Sequence, residues 1–155
     1  MPPLVPVRFQ KLHPNAVMPV QAHVGDAGLD LSAVDALTIP QGGRALVRTG
    51  LAVEIPEGHE GQVRPRSGLA LRHGVTVLNA PGTIDSGYRG ELGVILANFG
   101  STPFQVEPGM RIAQLVIAPV ASIAVEVVDG GLSATDRGAG GFGSSGVAPL
   151  PPVGP

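Results

Sequence analysis

The sequence has no cysteine, which excludes disulfides, thiolate nucleophiles and cysteine-held metals. It has no tryptophan and a single tyrosine, Tyr88. Charged residues are few, 14% of the chain, and the formal net charge is −2, so no global field draws nucleic acid to it. No apolar run is long enough to span a bilayer. The start, Met1-Pro2-Pro3-Leu4-Val5-Pro6, has neither the basic region nor the apolar core of a signal peptide. The four histidines (His13, His23, His59 and His73) lie apart and show no zinc spacing. A cytoplasmic protein with no membrane and no nucleic-acid partner is the expectation. What is present suits one globular domain: 155 residues, 43% hydrophobic, enough to bury a core without staples.

Glycine (23) and proline (16) make up roughly a quarter of the chain, close to the level that marks low complexity. Over most of the length they punctuate short apolar runs instead, at 5–9, 29–33, 45–55, 61–64, 74–78, 92–98, 104–106, 112–117 and 123–128. Many short Val- and Ile-rich runs between turn signals predict an all-β sandwich or barrel-like fold, of which the jelly roll is one version. Helical periodicity is absent except at 67–72, where a serine can cap Leu69-Ala70-Leu71-Arg72. Beyond residue 130 the character changes. Arg137-Gly138-Ala139-Gly140-Gly141-Phe142-Gly143-Ser144-Ser145-Gly146 is too glycine-rich to nucleate structure alone. Its composition suits either a loose terminus or a lid for a flat, anionic ligand, with amides and hydroxyls meeting phosphate and Phe142 stacking on a base. The expected division is a core over 1–129, a flexible lid over 130–146, and a disordered Pro- and Gly-rich tail over 147–155.

Several residues carry possible chemistry. Asn79-Ala80-Pro81-Gly82-Thr83-Ile84-Asp85-Ser86-Gly87-Tyr88-Arg89-Gly90-Glu91 sets a carboxylate and a ring into a tight turn between two predicted strands. Such a hairpin mouth can admit a flat ring and offer it backbone hydrogen bonds, although Asp85 is also ordinary turn chemistry. Arg64-Pro65-Arg66-Ser67-Gly68 places arginine, hydroxyl and amides together, either as an anion site or as a simple cap and turn. Asp30 sits inside an apolar strand, where a carboxylate needs a partner: a salt bridge, or the water shell of a Mg²⁺ ion. Gln114 interrupts the apolar run 111–117 and is either a satisfied core amide or a group aimed at phosphate.

Taken in order, the segments 27–31, 64–70, 82–91, 111–117 and 137–146 resemble the five motifs of the trimeric deoxyuridine triphosphate nucleotidohydrolases (dUTPases). The Arg64-Pro65-Arg66 form of the second segment is similar to actinobacterial members. The resemblance implies a distorted jelly roll of the β-clip type, a homotrimer with active sites shared between subunits, Mg²⁺ as cofactor, and cleavage of dUTP to dUMP and pyrophosphate. It implies Asp85 as the base acting on the attacking water and Tyr88 as the ring that packs on deoxyribose. Asn79, with backbone at Thr83, Ile84 and Gly93, would read uracil. Arg66, Ser67, Gly68 and Gln114 would hold phosphates, and Asp30 would touch the metal's water shell. From the tail, Arg137, Phe142, Gly143, Ser144 and Ser145 would close the site. Other readings remain open: a deoxycytidine triphosphate deaminase of the same fold, with Glu91 as the nearby acid; a non-catalytic β module; and a structural jelly roll.

Overall fold

The computed structural model describes residues 4–149. Residues 150–155, most of the expected tail, lie outside the described residues. The chain divides into two units, residues 4–122 and residues 123–149. The first unit is nearly all β, as expected. Its strands are β1 (Arg8–Lys11), β2 (Gly28–Ser32), β3 (Leu37–Ile39), β4 (Arg44–Glu54), β5 (His59–Arg64), β6 (Val75–Val77), β7 (Gly82–Ile84), β8 (Glu91–Asn98), β9 (Phe104–Val106) and β10 (Arg111–Pro119), with one helix, α1 (Ser67–His73). Among the described residues no helix is long and apolar enough to cross a membrane.

Two four-stranded sheets, ordered β1-β4-β8-β6 and β2-β10-β5-β7, are joined by the small pair β3-β9 in a jelly-roll-like arrangement. All the pairings are antiparallel. Alternation along each strand selects the face that is buried. In β8, Leu92, Val94 and Leu96 point inward, and they meet Val47 and Val53 of β4 and Leu31, Val63 and Leu115 of the second sheet in one core.

Four local expectations are corrected. The first strand lies at Arg8–Lys11, not 5–9, because it is a mostly exposed edge strand held by pairing to β4, while Pro6 offers no donor to a ladder. Strands β3 and β7 are not among the runs expected from the sequence; they are defined by pairing with β9 and β5. The run 123–128 forms no strand, and Ile123, Val125 and Val127 are exposed. Apolar content makes a strand only where a neighbouring strand can take up its backbone groups, and none pairs with it among the described residues. Helix α1 exists, but Ser67 is its first residue; Arg66 occupies the cap position, with no side-chain cap bond.

Candidate active site

Strand register brings three sequence-distant segments together. On β10, Gln114 lies opposite Asp30 of β2 on one side and Arg64 of β5 on the other. Opposed residues in an antiparallel pair share a face, so Asp30 and Gln114 emerge side by side. Strand β5 ends at Arg64 and runs through Pro65 into α1, which delivers Arg66, Ser67 and Gly68 to the same place. The result is a cavity of about 340 Å³ whose walls include Asp30, Arg66, Ser67, Gly68, Arg111 and Gln114.

Inside it the carboxylate of Asp30 is held twice. Arg66 Nε donates to Oδ1 at 3.1 Å and Arg111 Nη1 to Oδ2 at 3.0 Å. Arg66 Nη1 also donates to the Arg111 carbonyl at 3.3 Å. The acid in an apolar strand therefore has its salt bridge. Gln114 Nε2 donates to the Pro65 carbonyl at 2.8 Å, which turns its Oε1 toward Gly28. A Cβ on Gly28 would overlap that oxygen, so glycine is what lets the Gln114 amide lie against β2 in this position. Asp26 also lines the cavity, so two arginines face two aspartates and their charges balance. Arg111 was not singled out from sequence. It opens a legible strand, but only the β2–β10 register reveals that it grips Asp30.

The candidate hairpin is a separate construction. Strands β6 and β8 pair as expected, with Val75 opposite Asn98 and Val77 opposite Leu96. Between them, however, the chain crosses to the other sheet, where β7 pairs with β5 (Gln62 opposite Thr83). Asn79 lies in the crossing, Thr83 and Ile84 in β7, and Asp85 just past its end. The Tyr88 N–H donates to the Asp85 carbonyl at 3.0 Å, closing a turn. The carboxylate of Asp85 is exposed and makes no hydrogen bond or ion pair among the described residues. Tyr88 is 43% exposed, and its hydroxyl donates to the Glu91 carbonyl at 2.8 Å. Gly93, on β8, is overlain by Leu46, so only its backbone is offered.

Asn79, Asp85 and Tyr88 are not among the walls of the Asp30–Gln114 cavity. The nearest link is an adjoining cavity of about 560 Å³, where Ala80 and Pro81 from the hairpin stem meet Arg64, Ser67 and Gln114. One chain thus presents an arginine-bearing cavity and, apart from it, a turn with an unpaired carboxylate and a ring. In the second unit, residues 123–149, Arg137 Nε donates to the Gly140 carbonyl at 3.0 Å and Ser144 N–H to the Gly141 carbonyl at 3.0 Å. Phe142 is fully exposed at a left-handed φ of 49°, between Gly141 and Gly143. Ser145 follows in the same run of turns.

One titration is displaced. The Arg48 guanidinium is raised above its ordinary value by its hydrogen bond to Glu91 and then by the charges of Glu91 and Asp35. Glu91 is the acid that a deaminase reading would need. Its Oε2 accepts from Arg48 Nε at 3.2 Å and its Oε1 from the Gly50 N–H at 2.8 Å.

A jelly-roll-like β fold with arginines, a serine and a glutamine gathered beside a strand-to-helix junction is the frame of a nucleotide hydrolase. The dUTPase family model matches residues 14–146, and the chain belongs to that family. It is 57% identical over 141 residues to the deoxyuridine 5′-triphosphate nucleotidohydrolase of Gloeothece citriformis, covering 91% of this chain and 97% of that protein. It is 55% identical to the enzyme of the same name from Clostridium novyi, covering 89% and 96%. Among solved structures it resembles the dUTPase of Staphylococcus bacteriophage 80alpha with dUPNHPP, at a TM-score of 0.85 and 31% identity, covering 92% and 99%. These relatives are cyanobacterial, clostridial and viral, and the actinobacterial likeness expected from Arg64-Pro65-Arg66 finds no support in them.

Proposed function

We propose that this protein hydrolyses dUTP to dUMP and pyrophosphate, so that it keeps uracil out of DNA and supplies dUMP for thymidylate synthesis. The observation that carries the reading is the division of labour in one chain: a cavity bearing Arg66, Ser67, Gly68 and Gln114, and apart from it a turn whose Asp85 carboxylate is unpaired. The names of the relatives, and the nucleotide analogue in the phage enzyme, support the choice of substrate.

In this reading the guanidinium and amide groups of the cavity hold the triphosphate. Asp85 takes a proton from a water aligned with the α-phosphorus, an effect of about 10²–10⁴-fold for a positioned base. Asn79 and the backbone at Thr83, Ile84 and Gly93 read the uracil edge. Mispairing with cytosine leaves buried groups unmet at about 1–3 kcal/mol each. The Tyr88 ring packs on the sugar and leaves no room for a 2′-hydroxyl. Arg137 adds charge at the terminal phosphate, Phe142 stacks on the base, and Gly143, Ser144 and Ser145 contact phosphate as the tail closes.

The reading includes a homotrimer with shared sites, as the family resemblance implies; the absence of Asn79, Asp85 and Tyr88 from the walls of the cavity supports a site completed by another copy. The balanced charges of the cavity leave a polyphosphate in need of a further cation. Both oxygens of Asp30 are already engaged by arginine, and the described residues hold no group of three metal-binding side chains. The residues therefore fit Mg²⁺ bound mainly to the substrate, with Asp30 reaching it through water on its remaining lone pairs. When bound, the ion supplies neutralisation of phosphate charge. The place of action is the cytoplasm.

The deaminase alternative is disfavoured by the engagement of Glu91 with Arg48 and Gly50. Pyrophosphate and ammonia release should be measured over a panel of deoxynucleoside triphosphates, with and without Mg²⁺. Pyrophosphate from dUTP alone is expected. Ammonia from dCTP, or no product at all, overturns the proposal.

A further inference from the structure

Glu91 does more than end the hairpin. The β4–β8 ladder shifts register between Arg48, opposite Gly93, and Ala52, opposite Glu91. The extra β4 residues leave the Gly50 N–H outside the ladder, and Glu91 Oε1 accepts from it at 2.8 Å. Glu91 Oε2 accepts from Arg48 Nε, and Arg48 Nη1 reaches Asp35 Oδ2 at 3.2 Å. The Glu91 carbonyl in turn accepts from the Tyr88 hydroxyl, and the Tyr88 N–H closes the turn onto Asp85. One connected path thus runs from Asp35, in the bend before β3, to the Asp85–Tyr88 turn.

Two further contacts tighten the turn itself. Arg89 Nη1 donates to the Ser86 carbonyl at 2.6 Å and to the Tyr88 carbonyl at 2.9 Å. The Tyr88 ring folds back over Gly90, where a Cβ would come within 2.5 Å of the hydroxyl oxygen.

We propose that Arg48 and Glu91 are positioning residues that brace the Asp85–Tyr88 turn from behind, setting the sugar-facing ring and, with it, the carboxylate. The inference rests on the dUTP-hydrolase reading for what the turn does, but not for the existence of the brace. Stability is a weak reason for these ion pairs. Arg48 and Asp35 are nearly half exposed, and ion pairs so open to solvent add little to the stability of a fold. Their placement is the stronger one. They join a register break in a rigid sheet to a turn that otherwise carries only its own local hydrogen bonds. Arginine suits the task because its planar fork can hold two carboxylates at once, which a lysine ammonium cannot do in fixed geometry.

The test compares Arg48→Met, Arg48→Lys and Glu91→Gln with the full-length protein. Tyr88 is the only tyrosine and tryptophan is absent, so near-ultraviolet circular dichroism in the tyrosine band reads the braced ring directly. Arg48→Met is expected to weaken that band. It should lower kcat for dUTP about tenfold, with KM within about threefold, since misplacement near 1 Å can cost up to about 10²-fold. The rate on UTP relative to dUTP should rise, because the ring that excludes the 2′-hydroxyl is loosened. Arg48→Lys should fall between Arg48→Met and wild type. If Arg48→Met does not fold, Glu91→Gln decides, because its amide oxygen still accepts from Gly50 while the charge pairing is gone. Folded variants with the wild-type band, kcat and UTP-to-dUTP ratio overturn the brace, even if their melting temperature drops. A wild-type protein that cleaves neither nucleotide overturns the hydrolase reading instead, and the tyrosine band then still decides the brace.

Discussion

Replacing Gly28 with alanine should damage the Asp30–Gln114 cavity more than the fold. The backbone tolerates the change, since Gly28 lies in β2 and is not among the residues of positive φ. The obstacle is Gln114: the new methyl overlaps Oε1 and lies 3.2 Å from Cδ and 3.3 Å from Cβ. The overlapped atom is the far end of a flexible side chain, so relief comes from rotating Gln114 away. That breaks its 2.8 Å bond to the Pro65 carbonyl. One hydrogen bond is worth about 0.5–1.5 kcal/mol net. At roughly 2–4 °C per kcal/mol for a domain of this size, the melting temperature should fall by only a few degrees. If Gln114 holds phosphate as proposed, losing its amide from the cavity should meanwhile raise KM for dUTP by about tenfold, the equivalent of roughly 1.4 kcal/mol. Thermal circular dichroism and initial-rate pyrophosphate release measure the two effects. A double-mutant cycle sharpens the result. With Gln114→Ala already in place the clash is mostly gone, so adding Gly28→Ala should change neither quantity much. Unchanged KM in Gly28→Ala, or equal damage by Gly28→Ala in both backgrounds, refutes the reasoning.

Asp85→Asn should keep nucleotide affinity and lose about 10²–10⁴ in turnover; turnover near wild type, measured beside analogue binding, removes the general base from the account. Phe142→Trp creates a sole tryptophan whose fluorescence should change when a non-hydrolysable dUTP analogue binds; an unaltered spectrum argues against stacking. Asn98→Ala tests the fold. Its amide is buried, donating to the Ile39 carbonyl at 3.0 Å and the Thr102 carbonyl at 2.8 Å and accepting from the Gly100 N–H at 2.9 Å. Orphaning these three groups should cost at least about 3 kcal/mol, at about 1–3 kcal/mol each. A loss below about 1 kcal/mol in denaturant titration would contradict the role assigned to that network.

The longer strands were legible because they are rich in apolar residues between turn signals. Strand β8 carries inward Leu92, Val94 and Leu96 at the spacing a sheet demands, while β4 and β10 are buried in longer apolar stretches. Strands β3 and β7 were not; they are defined by pairing with β9 and β5. The run 123–128 shows the converse error, an apolar pattern with no partner strand. In the site, Asp30 was recognisable as a charge needing compensation. Its partners Arg66 and Arg111 are separated from it by tens of residues and are brought to it by register alone. Arg48 gave no signal in the sequence; its meeting with Glu91 depends on the irregular ladder between β4 and β8.

By itself the amino-acid order determined the β class, the turn at Asp85, the inventory of groups able to meet phosphate, and the exclusion of thiol chemistry. These are properties of local pattern and residue type. Tertiary structure decided which of those groups face one another: Asp30 between two arginines, Gln114 against Gly28, Glu91 behind Tyr88. Pairing register is a cooperative choice of the whole sheet, and a shift of one residue would turn the strand side chains among these, Asp30, Gln114 and Glu91, to the opposite face.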